Sequence, residues 1–187
     1  MTHEIWLIRH GDTEWTRSGQ HTSRTDLALT PEGERHARCL GKLLDGRKFA
    51  LVLSSPMQRA RETCRLAGLT PEISNDLKEW DYGEYEGLTT AQIRQTVPGW
   101  TIWTAPPKGG ETIEQVSARA ERVLGRALQA DGDVALFGHG HMLRVLAARW
   151  VDRPPVCGQV LALAPGSLSV LGWERETRVI RLWSQIA

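Results

Sequence analysis

The sequence predicts an α/β fold, a three-layer α/β/α sandwich around a mainly parallel sheet with a small cap. Three observations carry that expectation. Short, almost continuous apolar runs at 5–8, 51–53 and 134–137 are too short for helices and read as strands covered on both faces. Each is followed, after a polar break, by a segment with helical capping or helical apolar spacing. A chain of 187 residues suits one compact domain spanning 1–187, long enough to bury about 70% of its unfolded surface without disulfides or a structural metal.

The elements follow in order. After the first strand, Gly11 to Leu29 form a polar loop too long to be a mere connector. Thr30-Pro31-Glu32 opens a helix, with Thr as N-cap and Pro in the first turn. Cys39, Leu40, Leu43 and Leu44 supply its apolar face, and Gly46 is suited to end it. The second strand turns through Ser54-Ser55-Pro56 into a helix carrying Arg59 to Leu66. Residues 77–110 are rich in turns, prolines and glycines and read as a small cap or loop insertion. Thr112 and Gln115 form a capping-box pattern for a helix to about Leu128. The third strand leads into a helix from about Met142 to Val151. Runs at 160–163 and 168–171, separated by Ala164-Pro165-Gly166-Ser167, predict a hairpin, and 179–183 predict a last strand.

Composition narrows the function classes. Lys plus Arg is 23 and Asp plus Glu is 22, a net charge of +1. That balance offers no field for nucleic acid or an anionic membrane, so any anion must be held locally. No stretch approaches the roughly 18 apolar residues of a membrane span, and the N-terminus lacks the basic and apolar regions of a signal peptide. Cys39, Cys64 and Cys157 lack CxxC spacing and read as buried thiols in a reducing compartment. The expectation is a cytoplasmic protein. Trp6, Trp150 and Trp183 read as core; Trp100 and Trp103 read as cap packing or as an apolar wall over a ligand. Eight tryptophans on a near-neutral chain leave room for a homodimer, with no feature marking an interface.

Polar residues collect where the strands stop. The first strand ends in Arg9-His10-Gly11, the second leads to Ser54-Ser55 and Arg59, the third to Gly138-His139-Gly140-His141. Ligands of open α/β sheets bind outside the carboxyl ends of the strands, so two histidines and two arginines are offered to one cleft. Two guanidiniums grip a phosphate dianion bidentately. A neutral imidazole in line with phosphorus can attack it, and a second, when protonated, can stabilise charge on the equatorial oxygens. The leaving alkoxide needs a proton, for which Glu79, Asp81 and Glu84 are candidates. A nucleophile that must be neutral and an acid that must be protonated predict a bell-shaped pH profile. His139 and His141 form an HxH pair, but Met142-Leu143-Arg144 follow where further zinc ligands would stand; His141 reads as a helix N-terminal residue. His3, His21 and His36 have no partner legible in the sequence and read as exposed, with a place on the cleft wall as the alternative for His21. Arg24, Lys108 and Arg144 are the cations available for a second phosphate.

These residues resemble the histidine phosphatase superfamily, the phosphoglycerate mutase-like enzymes. The matching blocks are Arg9-His10-Gly11-Asp12-Thr13-Glu14-Trp15, Ser55-Pro56-Met57-Gln58-Arg59-Ala60-Arg61-Glu62-Thr63, Leu77-Lys78-Glu79 with Gly83 and Glu86-Gly87, Gly109-Gly110-Glu111-Thr112, and Gly138-His139-Gly140. The resemblance implies His10 as nucleophile, Arg9, Arg59 and His139 as phosphate ligands, and selects Glu79 as proton donor. It also implies substrate contacts for Gly11, Thr13, Thr16, Gln20, Thr22 and Gly140. Thr13-Glu14-Trp15, Ser18-Gly19-Gln20, Glu79-Trp80-Asp81-Tyr82-Gly83, Trp103 and Arg144 resemble the fungal sedoheptulose-1,7-bisphosphatase type, which would put Tyr82 and Arg144 against the sugar or its second phosphate. Thr16 stands where many members carry a phosphate-contacting Asn, and Ser23 where mutases often carry Gly. The reading is a phosphomonoesterase working through phosphohistidine on a small phosphorylated metabolite, without cofactor or metal. The alternatives are a mutase that returns the phosphoryl group to a rebound intermediate, and a phospho-ligand-binding protein without turnover.

Overall fold

The computed structural model describes residues 3–44 and 46–186. Its centre is a six-stranded sheet in the order β3-β2-β4-β1-β5-β6, built from β1 (Ile5–Arg9), β2 (Leu51–Ser54), β3 (Glu72–Ile73), β4 (Val134–Gly138), β5 (Ser167–Glu174) and β6 (Thr177–Ile186). The first four run parallel; β5 pairs antiparallel with β1, and β6 antiparallel with β5.

Successive strand residues point to opposite faces, and both faces are covered. Ile5, Leu7, Val134 and Leu136 pack with the apolar stripes of α5 (Ile113–Leu128) and α6 (Gly140–Trp150). Trp6, Ile8, Ala135 and Phe137 face α2 (Pro31–Leu44) and α3 (Gln58–Leu66). This is the three-layer α/β sandwich that the unbroken apolar runs predict, because a strand buried on both sides has no polar alternate positions.

The helix starts follow from their caps. Thr30 Oγ1 accepts the Gly33 N–H at 3.1 Å, and Thr112 with Gln115 closes a reciprocal capping box. Two short helices went unpredicted. α1 (Glu14–Ser18) lies inside the presumed loop and is capped by Thr13 and Thr16, a pairing that lacks the usual Glu or Gln. α4 (Thr90–Thr96) carries a recognisable Thr89–Gln92 box. Residues 77–110 hold α4, and their Trp80, Ile93, Trp100 and Ile102 are buried in the α5/α6 core.

The expected hairpin is misplaced. Pro155–Val160 is a 3₁₀ turn, seeded by the Pro154-Pro155 pair, and residues 161–164 are irregular. The carbonyls of Ala162 and Leu163 are taken by Trp183 and Arg9 side chains and so join no ladder. The true hairpin joins β5 to β6 through Arg175-Glu176. Trp6 and Trp150 are core as expected, whereas Trp183 on the edge strand β6 is half-buried. Of the cysteines, Cys64 is buried and Cys39 and Cys157 are only partly so.

Candidate active site

Three neighbouring strands deliver the chemistry side by side. Arg9 is in register with Gly138 across β1 and β4, and the His10 N–H donates to Gly138 O at 3.1 Å. That bond seats His10 beside His139, ring centroids 5.1 Å apart. On the other side of β4, the Ser55 N–H donates to Phe137 O at 3.0 Å, which brings the β2 end up to His139. Both imidazoles are buried, His10 at 4% exposure and His139 at 0%.

Their partners set the tautomers. His10 Nδ1 lies 2.8 Å from Gly11 O, a carbonyl that can only accept, so Nδ1 carries the proton and Nε2 keeps the lone pair. Burial holds His10 neutral well below the usual histidine range, reinforced by the Arg59 and Arg9 guanidiniums. In His139, Nδ1 faces the Arg59 Nε–H at 3.3 Å and must accept, which puts the proton on Nε2, 2.8 Å from Ser55 Oγ. Burial, then Arg59, His10 and Arg9, depress His139 as well. The protonated second imidazole expected from the sequence is therefore replaced by a neutral Nε2–H donor. Removing a charge from water beside two guanidiniums costs more than the site returns.

Arg59 is fully buried and spends its donors on a loop. Beyond His139 it reaches the carbonyls of Thr25 at 3.0 Å, Thr22 at 3.3 Å and Ser23 at 3.4 Å. Glu86 grips the same loop through its amides, accepting from Ser23 N and Thr25 N and from the Ser23 hydroxyl. Arg9 donates from Nη1 to Leu163 O, while its buried Nε has no protein partner among the described residues. Gly140 lies flat against that guanidinium: a Cβ there would come within 3.2 Å of Arg9 Cζ.

Glu79, 6% exposed, sits at the N-terminus of α6. Its carboxylate accepts from the N–H groups of Met142 at 2.8 Å and His141 at 3.0 Å, first-turn donors with no intrahelical partner, and from the neighbouring Trp80 N–H at 2.9 Å. Of the three candidate acids, Glu79 alone lines the cavity that His10 lines. Asp81 instead accepts from Arg24 and the Gly83 N–H, and exposed Glu84 pairs with Lys108.

That cavity measures about 170 Å³. Arg9, His10, Glu79 and Gly140 line it together with Thr16, Gln20, Thr22, Tyr82 and Arg144. Arg59 and His139 lie beneath its wall. Gly11 and Thr13 do not line it either: Gly11 donates to Thr63 Oγ1 at 3.1 Å, and Thr13 is the fully buried cap of α1. Arg144 lies over Trp103, 4.8 Å from the ring centroid, with Nε on Gly158 O. Arg24 and Lys108 are taken up in ion pairs.

The HxH pair diverges, since His139 turns to Ser55 and Arg59 whereas His141 Nδ1 meets Tyr82 Oη at 2.6 Å. Burial keeps His141 neutral and pushes the Tyr82 phenol well above its usual range, so Tyr82 donates to His141. His21 is not a free surface residue: it is half-buried, 4.7 Å from the Tyr82 ring and 5.4 Å from Trp100, on the cavity wall. Sequence reasoning also missed the supporting roles of Ser55, Thr63 and Glu86. All three stand inside the quoted motifs, but their partners lie 52 to 84 residues away, beyond any local pattern.

Known proteins are similar to this chain in sequence and fold. Residues 5–186 match the model of the histidine phosphatase superfamily, branch 1. An acid phosphatase of Mycobacterium tuberculosis is 40% identical over 181 residues, covering 94% of this chain and 89% of that protein. Sedoheptulose 1,7-bisphosphatase of Saccharomyces cerevisiae is 34% identical over 184 residues, covering 80% and 68%. The solved structure of an open reading frame from Mycobacterium tuberculosis superposes with a TM-score of 0.94 at 38% identity, covering 98% of each chain.

Proposed function

From the premise that this chain belongs to the histidine phosphatase superfamily and is a phosphatase, we propose that it hydrolyses small sugar phosphates or bisphosphates through a phosphohistidine on His10, with no metal. The observation that carries this reading is the His10 tautomer. Its Nδ1–H is fixed on Gly11 O, so the lone pair of Nε2 is left for phosphorus.

The step balances within the residues present. Nε2 forms the N–P bond as the ester P–O bond breaks, and the proton on Glu79 goes to the departing oxygen. Arg9 supplies fixed positive charge beside the transferring group, and the neutral His139 ring, held by Ser55 and Arg59, packs against His10 and keeps the nucleophile in place. A water then attacks the phosphohistidine, giving its proton to the Glu79 carboxylate and releasing phosphate. The wall of Tyr82 and Arg144, the latter stacked on Trp103, suits a hydroxylated, anionic leaving group. The yeast relative, named for a sugar bisphosphate, supports the same class.

The test is phosphate release from a panel of sugar bisphosphates, monophosphates, phosphoglycerates and nucleotides in excess EDTA. Release that survives EDTA and disappears in His10→Ala supports the reading, and sugar esters are expected to rank first. Full activity in His10→Ala would falsify it. Label passing to a second substrate hydroxyl instead of water would convert the assignment to a mutase.

A further inference from the structure

Glu79 is held at its carboxylate by α6, yet the chain that carries it has little structure of its own. A 3₁₀ turn covers Asn75–Leu77, and no helix or strand follows until Gly83. One side chain from α5 fills that role. Arg119 donates from Nη1 to the carbonyls of Asp76 and Lys78, both at 2.8 Å, and from Nη2 to the Glu79 carbonyl at 3.3 Å. Its Nε and Nη2 also reach the two oxygens of Glu111 at 2.8 and 2.7 Å. A guanidinium has five N–H donors, and these contacts account for all of them.

Glu111 completes the brace. Its Oε2 accepts the Asp81 N–H at 3.0 Å, its own N–H donates to Asp81 O at 3.0 Å, and its carbonyl accepts from Trp80 Nε1 at 2.9 Å. The pair therefore bonds the backbone or side chain of five consecutive-region residues, from Asp76 to Asp81, on both sides of Glu79. Neither Arg119 nor Glu111 is among the residues lining the His10 cavity.

We propose that Arg119, braced by Glu111, is a positioning residue for the general acid. It fixes the main chain of Glu79 while the α6 N-terminus fixes the carboxylate, and the two restraints together set where the proton is delivered. The proposal rests on Glu79 being that acid. Proton delivery is sensitive to position, a misplacement of about 1 Å being worth on the order of 100-fold. It also matters unequally: an alkoxide cannot leave without a proton, whereas 4-nitrophenolate can. A brace that merely stabilised the fold would affect both alike.

The experiment measures kcat/KM over phosphate monoesters whose leaving groups run from 4-nitrophenol through phenol to alkyl and sugar hydroxyls, with melting temperature recorded for each variant. Glu79→Gln is expected to lose about 100-fold or more on the alkyl esters and much less on the nitrophenyl ester. Arg119→Lys, which keeps the charge but not the fork, is expected to show the same trend at about 10-fold. Glu111→Gln, expected to fold even where Arg119→Lys does not, should follow it. A loss equal across the series in the folded variants, or none, overturns the positioning role while leaving Glu79 as the acid. A flat series in Glu79→Gln removes the acid assignment and the proposal with it.

Discussion

Arg59 donates its Nε–H to Nδ1 of His139 at 3.3 Å, and because a guanidinium has no lone pair to offer, that nitrogen must be the unprotonated one. One contact thus dictates the tautomer of the second histidine. The same guanidinium holds the 22–25 loop, so a single side chain couples the carboxyl end of the sheet to the wall of the cavity.

Replacing Arg59 should therefore disturb both the His139 tautomer and the cavity wall. Arg59→Gln is expected to lower kcat/KM by about 10²–10³-fold. It also removes a charge that helps to hold His10 neutral well below the ordinary histidine value of about 6.5. The acid limb of the wild-type profile should lie well under pH 6.5 and move upward in the variant. A limb that stays in place in a folded Arg59→Gln protein would remove the electrostatic link.

Stability carries the same signature. His10, His139 and His141 are held neutral below 6.5 in the fold, chiefly by burial, while in the unfolded chain they protonate near 6.5. Below that pH the unfolded state binds more protons, so stability is present above 6.5 and lost as the pH falls. The loss approaches roughly 1.4 kcal/mol per imidazole per pH unit. Urea unfolding at pH 7.5 and 5.5 measures it, and His139→Gln should flatten the slope by about a third of the three-histidine effect. Equal stability at the two pH values would contradict the burial of these rings.

The loop after β1 depends on two glycines in contact. A Cβ on Gly33 would lie 2.3 Å from Asp12 O and 2.7 Å from Asp12 N, both backbone atoms that cannot swing away. Gly33→Ala is expected to cost about 1–3 kcal/mol and to reduce activity by displacing the segment next to His10. Gly125 in α5 meets nothing within 4 Å, and Gly125→Ala should stabilise by about 0.5–1 kcal/mol. Thermal melts of the pair distinguish steric contact from helix propensity.

The three thiols should react in order of burial. Cys64 is fully buried, and desolvation pushes its thiol up to about 12, so it has almost no thiolate at neutral pH. Iodoacetamide mapped by mass spectrometry should modify Cys39 and Cys157 first, reaching Cys64 only after unfolding. Early labelling of Cys64 in the native protein would show that α3 opens locally.

What the sequence determined by itself was the order of the parallel strands' chemistry. Apolar runs that admit no polar alternation must be covered on both faces, and Arg9, His10 and His139 stand directly at their carboxyl ends. Local caps such as Thr30 and Thr112 are equally legible, because their bonds span only three residues. The sequence could not choose among Glu79, Asp81 and Glu84 by composition, since all three share one polar stretch and only the family motif separates them. The tertiary structure gives the three different surroundings: Glu79 lies against the N-terminus of α6 and lines the His10 cavity, whereas Asp81 and Glu84 have cations of their own. It also decided that His139 is a neutral donor and that His21 lines the cavity. Each of these depends on a partner or burial supplied by another part of the chain, where no local periodicity or capping rule reaches.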